Sequence, residues 1–92
     1  MQIAGKTFLV TGGASGLGRA SAEAVVAAGG NVVLADVNAE TGTAAEQAIG
    51  GKAKFALTDV TSEEQVKGAV DLAVASFGGL HGVINAAGIG PA

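Results

Sequence analysis

The sequence predicts an α/β fold: a parallel sheet carrying helices on both faces, in the order β-α-β-α-β-α-β. Three observations lead there. Four short apolar runs bounded by Gly, Asp or Asn show no strict alternation of apolar and polar residues, as in strands buried on both faces. Between them lie longer stretches with apolar residues at helical spacing, and such an alternation folds through right-handed crossovers into a parallel sheet. The side chains are also small, since 49% of residues are hydrophobic yet there is no Trp or Tyr and only three Phe. An interior of Ala, Val, Leu and Ile suits close layers of helix and sheet.

Taken in order, the first strand is expected at Thr7 to Val10 (TFLV), followed directly by the glycine-rich stretch TGGASGLGR from Thr11 to Arg19. A first helix follows, with Leu17, Ala20, Ala24, Val25 and Ala28 along its apolar face. The second strand spans Asn31 to Ala35 and ends at Asp36. Asn38 can cap a middle helix over about Ala39 to Ile49, where Thr41, Gly42 and Thr43 are poor helix formers and only Ala45, Ala48 and Ile49 make an apolar stripe. The third strand is Ala53 to Leu57. Ser62 and Gln65 open the third helix at capping-box spacing, and Glu63 and Glu64 complement its positive end. Val66, Val70, Ala73, Val74 and Phe77 share one face of that helix, and the fourth strand covers Gly82 to Asn85.

At 92 residues and 8.7 kDa the chain is at most one small domain or part of one. A net charge of −3 with five scattered basic residues offers no footprint for a nucleic acid backbone. Cysteine is absent and the single His81, expected in a surface loop ahead of the fourth strand, has no second ligand at metal spacing. The start of the chain lacks a charged segment followed by a long apolar stretch, and no run approaches about 18 apolar residues. The expectation is a soluble, cytoplasmic protein with no membrane or nucleic acid partner.

Gly12, Gly16 and Gly18 fall within seven residues, although glycine loses more backbone entropy on folding than any other residue. In a strand-to-helix turn they let a ligand approach the backbone where the first helical N–H groups are unpaired. That is an anion site, and phosphate is the usual anion. Asp36 follows Gly18 by eighteen residues. A carboxylate there accepts hydrogen bonds from adenosine ribose hydroxyls and repels a 2′-phosphate, which favours NAD over NADP. Val37, in place of a basic residue, leans the same way; the alternative is that Asp36 only caps a turn. Asp59 and Val60 close the third strand and Asn85, Ala86, Ala87 and Gly88 close the fourth, each at the sheet edge where open α/β folds bind ligands. Methyltransferases share a glycine turn and an acid after the second strand, but NAAG argues against one.

Over essentially its whole length the sequence resembles the short-chain dehydrogenase/reductase family. Thr11, Gly12, Gly16 and Gly18 match that family's Thr-Gly-x-x-x-Gly-x-Gly, and Asn85 to Gly88 match its Asn-Asn/Ala-Ala-Gly. The resemblance implies a Rossmann-type sheet, NAD as cofactor, and hydride transfer to or from a secondary alcohol or ketone. Carried over by position, Gly12, Ser15, Gly16 and Leu17 would line the pyrophosphate, with Gly18 packing helix against strand. Asp36 would hold the adenosine ribose, Asp59 and Val60 would flank the adenine, and Asn85, Ala86, Ala87 and Gly88 would run beneath the nicotinamide ribose. Structural alternatives stand beside these roles: Ser15 as a helix cap, Val60 as core filling, Asn85 as a brace between strands. Within the family, GGASGLG, Asp36, DVTSE and FGGL look most similar to NAD-dependent 3-hydroxyacyl-CoA dehydrogenases of the type-2, short-chain kind.

One part of the family pattern has no counterpart. Its acid/base tyrosine and lysine, in Tyr-x-x-x-Lys, and its upstream serine are missing: there is no tyrosine, and Lys6, Lys52, Lys54 and Lys67 stand in no such motif. No catalytic residue is assigned, and Asn85 is not the family's separate catalytic Asn. The expectation is therefore an NAD-binding N-terminal part over residues 1–92, inactive alone and without the catalytic part; the alternative is a non-catalytic nucleotide-binding or assembly module. A fourth strand beside the first would be a bare edge, which favours a homo-oligomer.

Overall fold

The structure is a computed structural model, and it describes residues 2–86. The chain runs β1 (Thr7–Thr11), α1 (Gly16–Ala27), β2 (Asn31–Asp36), α2 (Ala39–Ile49), β3 (Ala53–Leu57), α3 (Glu63–Phe77) and β4 (Gly82–Asn85). All four strands are parallel, in the order β3-β2-β1-β4. This is the expected Rossmann-like α/β arrangement. β1 is central, with Leu9 opposite Val33 of β2 on one side and Val83 of β4 on the other.

Two apolar layers hold the sheet. Phe8, Val10, Val32 and Leu34 point to one face and pack with Ala22 and Val25 of α1 and Ala45 of α2. Leu9, Val33 and Ala35 point to the other, against Ala69 and Ala73 of α3. The period-two alternation of strand side chains produces this split, so the central strands read as continuous apolar runs. With α3 alone on its face, Val83 of β4 stays 59% exposed.

The helical faces differ from those expected. In α1 the buried residues are Gly18, Ala22 and Val25, whereas Leu17, Ala20, Ala24 and Ala28 are exposed. Alanine surrounds most of this helix, so apolar spacing does not fix its rotation; the close approach of Gly18 to the preceding turn does. In α2 the contact stripe includes Gly42, while Ala48 is exposed. A Cβ at Gly42 would overlap the ring of Phe55, so the residue that weakens α2 intrinsically is the one that lets it settle on β3. In α3, Ala69 and Ala73 are buried and Val74 is 51% exposed.

Polar groups finish the edges. The Glu46 carboxylate accepts the Phe55 N–H of edge strand β3 at 2.7 Å, occupying a backbone donor that would otherwise be open to another chain. His81 is exposed but not idle, because its Nδ1 accepts the Thr7 N–H at 3.0 Å and its own N–H donates to the Thr7 carbonyl at 2.8 Å. These bonds fasten the start of β4 to the start of β1.

Candidate functional site

The carboxyl ends of the strands gather the glycine turn, Asp36 and the segment after β3 around a cleft of about 100 Å³. Gly12, Asp36, Val37, Thr58, Asp59 and Val60 contribute to its wall. β1 runs one residue further than expected, to Thr11, β2 ends at Asp36 as expected, and β3 stops at Leu57. Asp59 and Val60 therefore lie beyond β3, in the turn leading to α3, rather than closing the strand.

The turn is held from below. Gly12 donates its N–H to the Ala35 carbonyl at 2.7 Å, and Ala14, itself buried, donates to Asp36 Oδ2 at 3.1 Å. Gly12 and Gly16 adopt left-handed backbone angles, φ 68° and 57°, which favour glycine. A Cβ at Gly16 would meet nothing within 4 Å, so the space over the helix start is open; a Cβ at Gly18 would overlap the Gly12 carbonyl. Gly18 thus packs α1 directly onto the turn.

The three helices begin differently. Asn38 accepts the Thr41 N–H ahead of α2, Ser62 accepts the Gln65 N–H ahead of α3, and both helices carry acidic residues in the first turn. Ser15 precedes α1 in extended conformation, but its side chain makes no cap bond and the first turn has no acid. The helix-cap alternative for Ser15 is therefore filled in position only. The positive end of α1 thus has neither a side-chain cap nor an acidic residue in its first turn.

Asp36 Oδ1 accepts the Asn38 N–H at 3.2 Å, so the carboxylate joins β2 to the start of α2 as well as to the glycine turn. Val60 is 51% exposed, Val37 67% and Leu17 55%, so Val60 does not fill the core. Asn85 Oδ1 accepts the Thr11 hydroxyl at 2.8 Å and Ala86 donates its N–H to the Thr11 carbonyl at 3.1 Å, bracing β4 against β1. Ala87 and Gly88 lie outside the described residues.

Two residues not singled out for the site shape it. Thr61 donates both its hydroxyl, at 2.6 Å, and its N–H, at 2.9 Å, to Asp59 Oδ1. Gln65, expected to complete a capping box by reaching back to Ser62, instead accepts the Asp59 N–H at 2.7 Å. The S-x-x-Q spacing was the available signal for Gln65; a threonine two residues after an aspartate is the weaker signal for Thr61.

The Thr61 hydroxyl, and secondarily its N–H, hold the Asp59 carboxyl below the ordinary aspartate range. A carboxyl lowered in the folded state contributes stability above its unfolded value and loses it as pH falls through the folded one. Thr61→Val is expected to move the Asp59 titration upward toward the ordinary value, read by NMR of the side-chain carboxyl. An unchanged titration would show that these bonds do not persist in solution.

Among the described residues there is no cluster of His, Asp or Glu suited to hold a metal, and no helix is long and apolar enough to cross a membrane. A family model described as short chain dehydrogenase matches residues 6–92. The chain belongs to the short-chain dehydrogenase family. Among similar short-chain dehydrogenases, a 2,5-dichloro-2,5-cyclohexadiene-1,4-diol dehydrogenase of Sphingobium indicum is 51% identical over 87 residues, covering 95% of this chain and 35% of that protein. A 3-alpha-(or 20-beta)-hydroxysteroid dehydrogenase of Mycobacterium tuberculosis is 43% identical over 88 residues, covering 96% and 34%. The 3-hydroxyacyl-CoA dehydrogenase type-2 of Drosophila melanogaster is 46% identical over 80 residues, covering 87% and 31%. This short-chain dehydrogenase sequence spans about a third of the length of these curated relatives.

Proposed function

We propose that this chain is the cofactor-binding part of an NAD-dependent oxidoreductase acting on a secondary alcohol or ketone. The observation that carries the reading is the pairing of an open glycine turn with Asp36, whose carboxylate is bonded to that same turn. The residues fit the group: Gly12, Ser15, Gly16 and Leu17 lie where a pyrophosphate would meet the unpaired N–H groups of α1. Asp36 would accept the ribose hydroxyls, with Asp59 and Val60 beside the adenine and Asn85 to Gly88 on the nicotinamide side.

Such a cofactor supplies hydride exchange when bound. The protein's part is to hold and orient it, and Asp36 disfavours a 2′-phosphate by charge. Hydride transfer also needs a proton donor or acceptor at the substrate oxygen, a role to which no residue of this chain is assigned. The chain then works as the dinucleotide-holding portion of a larger active unit, with no membrane or nucleic acid partner and self-association through β4. The 3-hydroxyacyl-CoA dehydrogenase relative supports an acyl-CoA substrate; the steroid and dichlorocyclohexadienediol relatives support the broader class of secondary alcohols.

Native mass spectrometry with NAD and NADP in competition tests the proposal. The expected result is a 1:1 NAD complex favoured roughly tenfold or more, equivalent to about 1.4 kcal/mol. Equal occupancy would remove the cofactor assignment. Binding of neither would remove the nucleotide-binding reading of the chain.

A further inference from the structure

We infer that the outer edge of β3 is a closed pairing surface for a second copy of this chain, and that the Glu46 side chain is what keeps it closed. β3 is the last strand of the sheet on the side of β2. In a parallel ladder the N–H groups alternate between the two sides of a strand, and Thr58 points inward, donating to the Asp36 carbonyl at 2.8 Å. Ala53, Phe55 and Leu57 therefore face out. The Ala53 N–H is taken by the Gly50 carbonyl at 3.0 Å and the Phe55 N–H by Glu46 Oε2 at 2.7 Å. No bond of this kind reaches the Leu57 N–H among the described residues.

Glu46 reaches the strand because of what lies one turn before it. Gly42 and Glu46 are four residues apart and share a face of α2, and a Cβ at Gly42 would overlap the Phe55 ring. The bare glycine lets α2 settle low on β3, which brings the carboxylate to the strand's edge. An N–H bonds more strongly to a carboxylate than to a neutral carbonyl. A second chain must displace that bond and also give up its own translational and rotational freedom.

Once the Phe55 N–H is free, the edge complements itself. A two-fold axis perpendicular to the sheet brings the same edge of two copies together with their β3 strands antiparallel. With Phe55 opposite the Phe55 of the second copy, the two residues exchange both N–H···O=C bonds. Leu57 then falls opposite Ala53 of the second copy and finds an acceptor for its open N–H. The same register sets Lys54 against Ala56 rather than against another Lys54, so no like charges oppose each other across the new ladder. That fit favours a copy of the chain as the occupant.

The test follows amide exchange and assembly size on the full chain. In the wild type the Phe55 amide is expected to exchange slowly with solvent deuterium although its strand is an edge; exchange as fast as that of Leu57 would overturn the role of Glu46. Glu46→Ala, which removes the acceptor and substitutes a better helix former, is expected to raise the mass from sedimentation about twofold over the wild-type chain at the same micromolar concentration. Glu46→Gln keeps an oxygen acceptor and is expected to stay at the wild-type mass. Association through β4 shifts all these values alike, so the comparison isolates β3. Adding Leu57→Pro to Glu46→Ala deletes an outward N–H that β2 does not use, and is expected to return the mass to the wild-type value. A Glu46→Ala chain of wild-type mass would overturn the proposal, as would association that persists with Leu57→Pro. Neither result bears on the dinucleotide reading, which binding of NAD tests separately.

Discussion

Gly18→Ala is expected to destabilise the protein by about 3 kcal/mol, at the upper end of ordinary overpacking costs, and to remove dinucleotide binding. The added methyl would overlap the Gly12 carbonyl and sit 3.1 Å from Gly13 Cα, and both obstacles are backbone rather than the far end of a flexible side chain. Relief requires α1 to retreat from the turn or the turn to shift. Retreat withdraws Ala22 and Val25 from the core that Phe8, Val10 and Leu34 share with them; a shift disturbs the Gly12 to Ala35 hydrogen bond. Either movement alters the alignment of the helix start with the turn. Thermal denaturation should show a midpoint lowered by roughly 10–20 °C, and an unchanged midpoint would mean that α1 is not packed on the turn as described.

Replacement of Asp36 has two separable effects, and two variants are needed to see them. Asp36→Ala removes the charge that opposes a 2′-phosphate and also strips the buried Ala14 N–H of its acceptor. The expected outcome is a loss of about 1–3 kcal/mol in stability, the usual cost of an unsatisfied buried donor, together with weaker NAD binding and a reduced preference over NADP. Asp36→Asn keeps an oxygen for the buried Ala14 N–H and loses the charge and the exposed bond from the Asn38 N–H. It should therefore hold most of the stability while still relaxing the NAD preference. Denaturant titrations paired with competitive binding separate the two roles; equal stability of wild type and both variants would show that the carboxylate does not hold the turn.

The fold was legible because β1 and β2 are short apolar runs of the type a doubly covered parallel sheet accommodates, and because the glycine turn and Asp36 punctuate these two strands. Helix orientation was less legible. Alanine carries little directional information, so the rotation of α1 is decided by a steric fit at Gly18 that no periodicity reports. Gly42 misleads for a related reason: propensity penalises it, whereas packing against Phe55 requires it. At the site, strand ends predicted which residues would gather, but not the hydrogen bonds that orient them. Asp36 joins two segments 22 residues apart in sequence through Ala14, and a backbone donor leaves no trace in residue identity. The same holds for Gln65, where capping-box spacing pointed to the right side chain and the wrong partner.

The pairing of β4 with β1 has a kinetic meaning. β1, β2 and β3 join partners only one helix away in the chain, whereas Thr11 and Asn85 meet across 74 positions. Closing a long loop costs more chain entropy than closing a short one, and distant contacts form late. β4 is therefore the strand expected to dock last and, by the same reasoning, to be a candidate for early release, since its outer edge has no neighbour among the described residues. Its departure would free Asn85 and Ala86 from Thr11 while leaving the three-stranded remainder with the glycine turn, Asp36 and the Asp59 segment. The adenosine side of the cleft would then take shape earlier in folding, and persist longer in unfolding, than the wall contributed by β4.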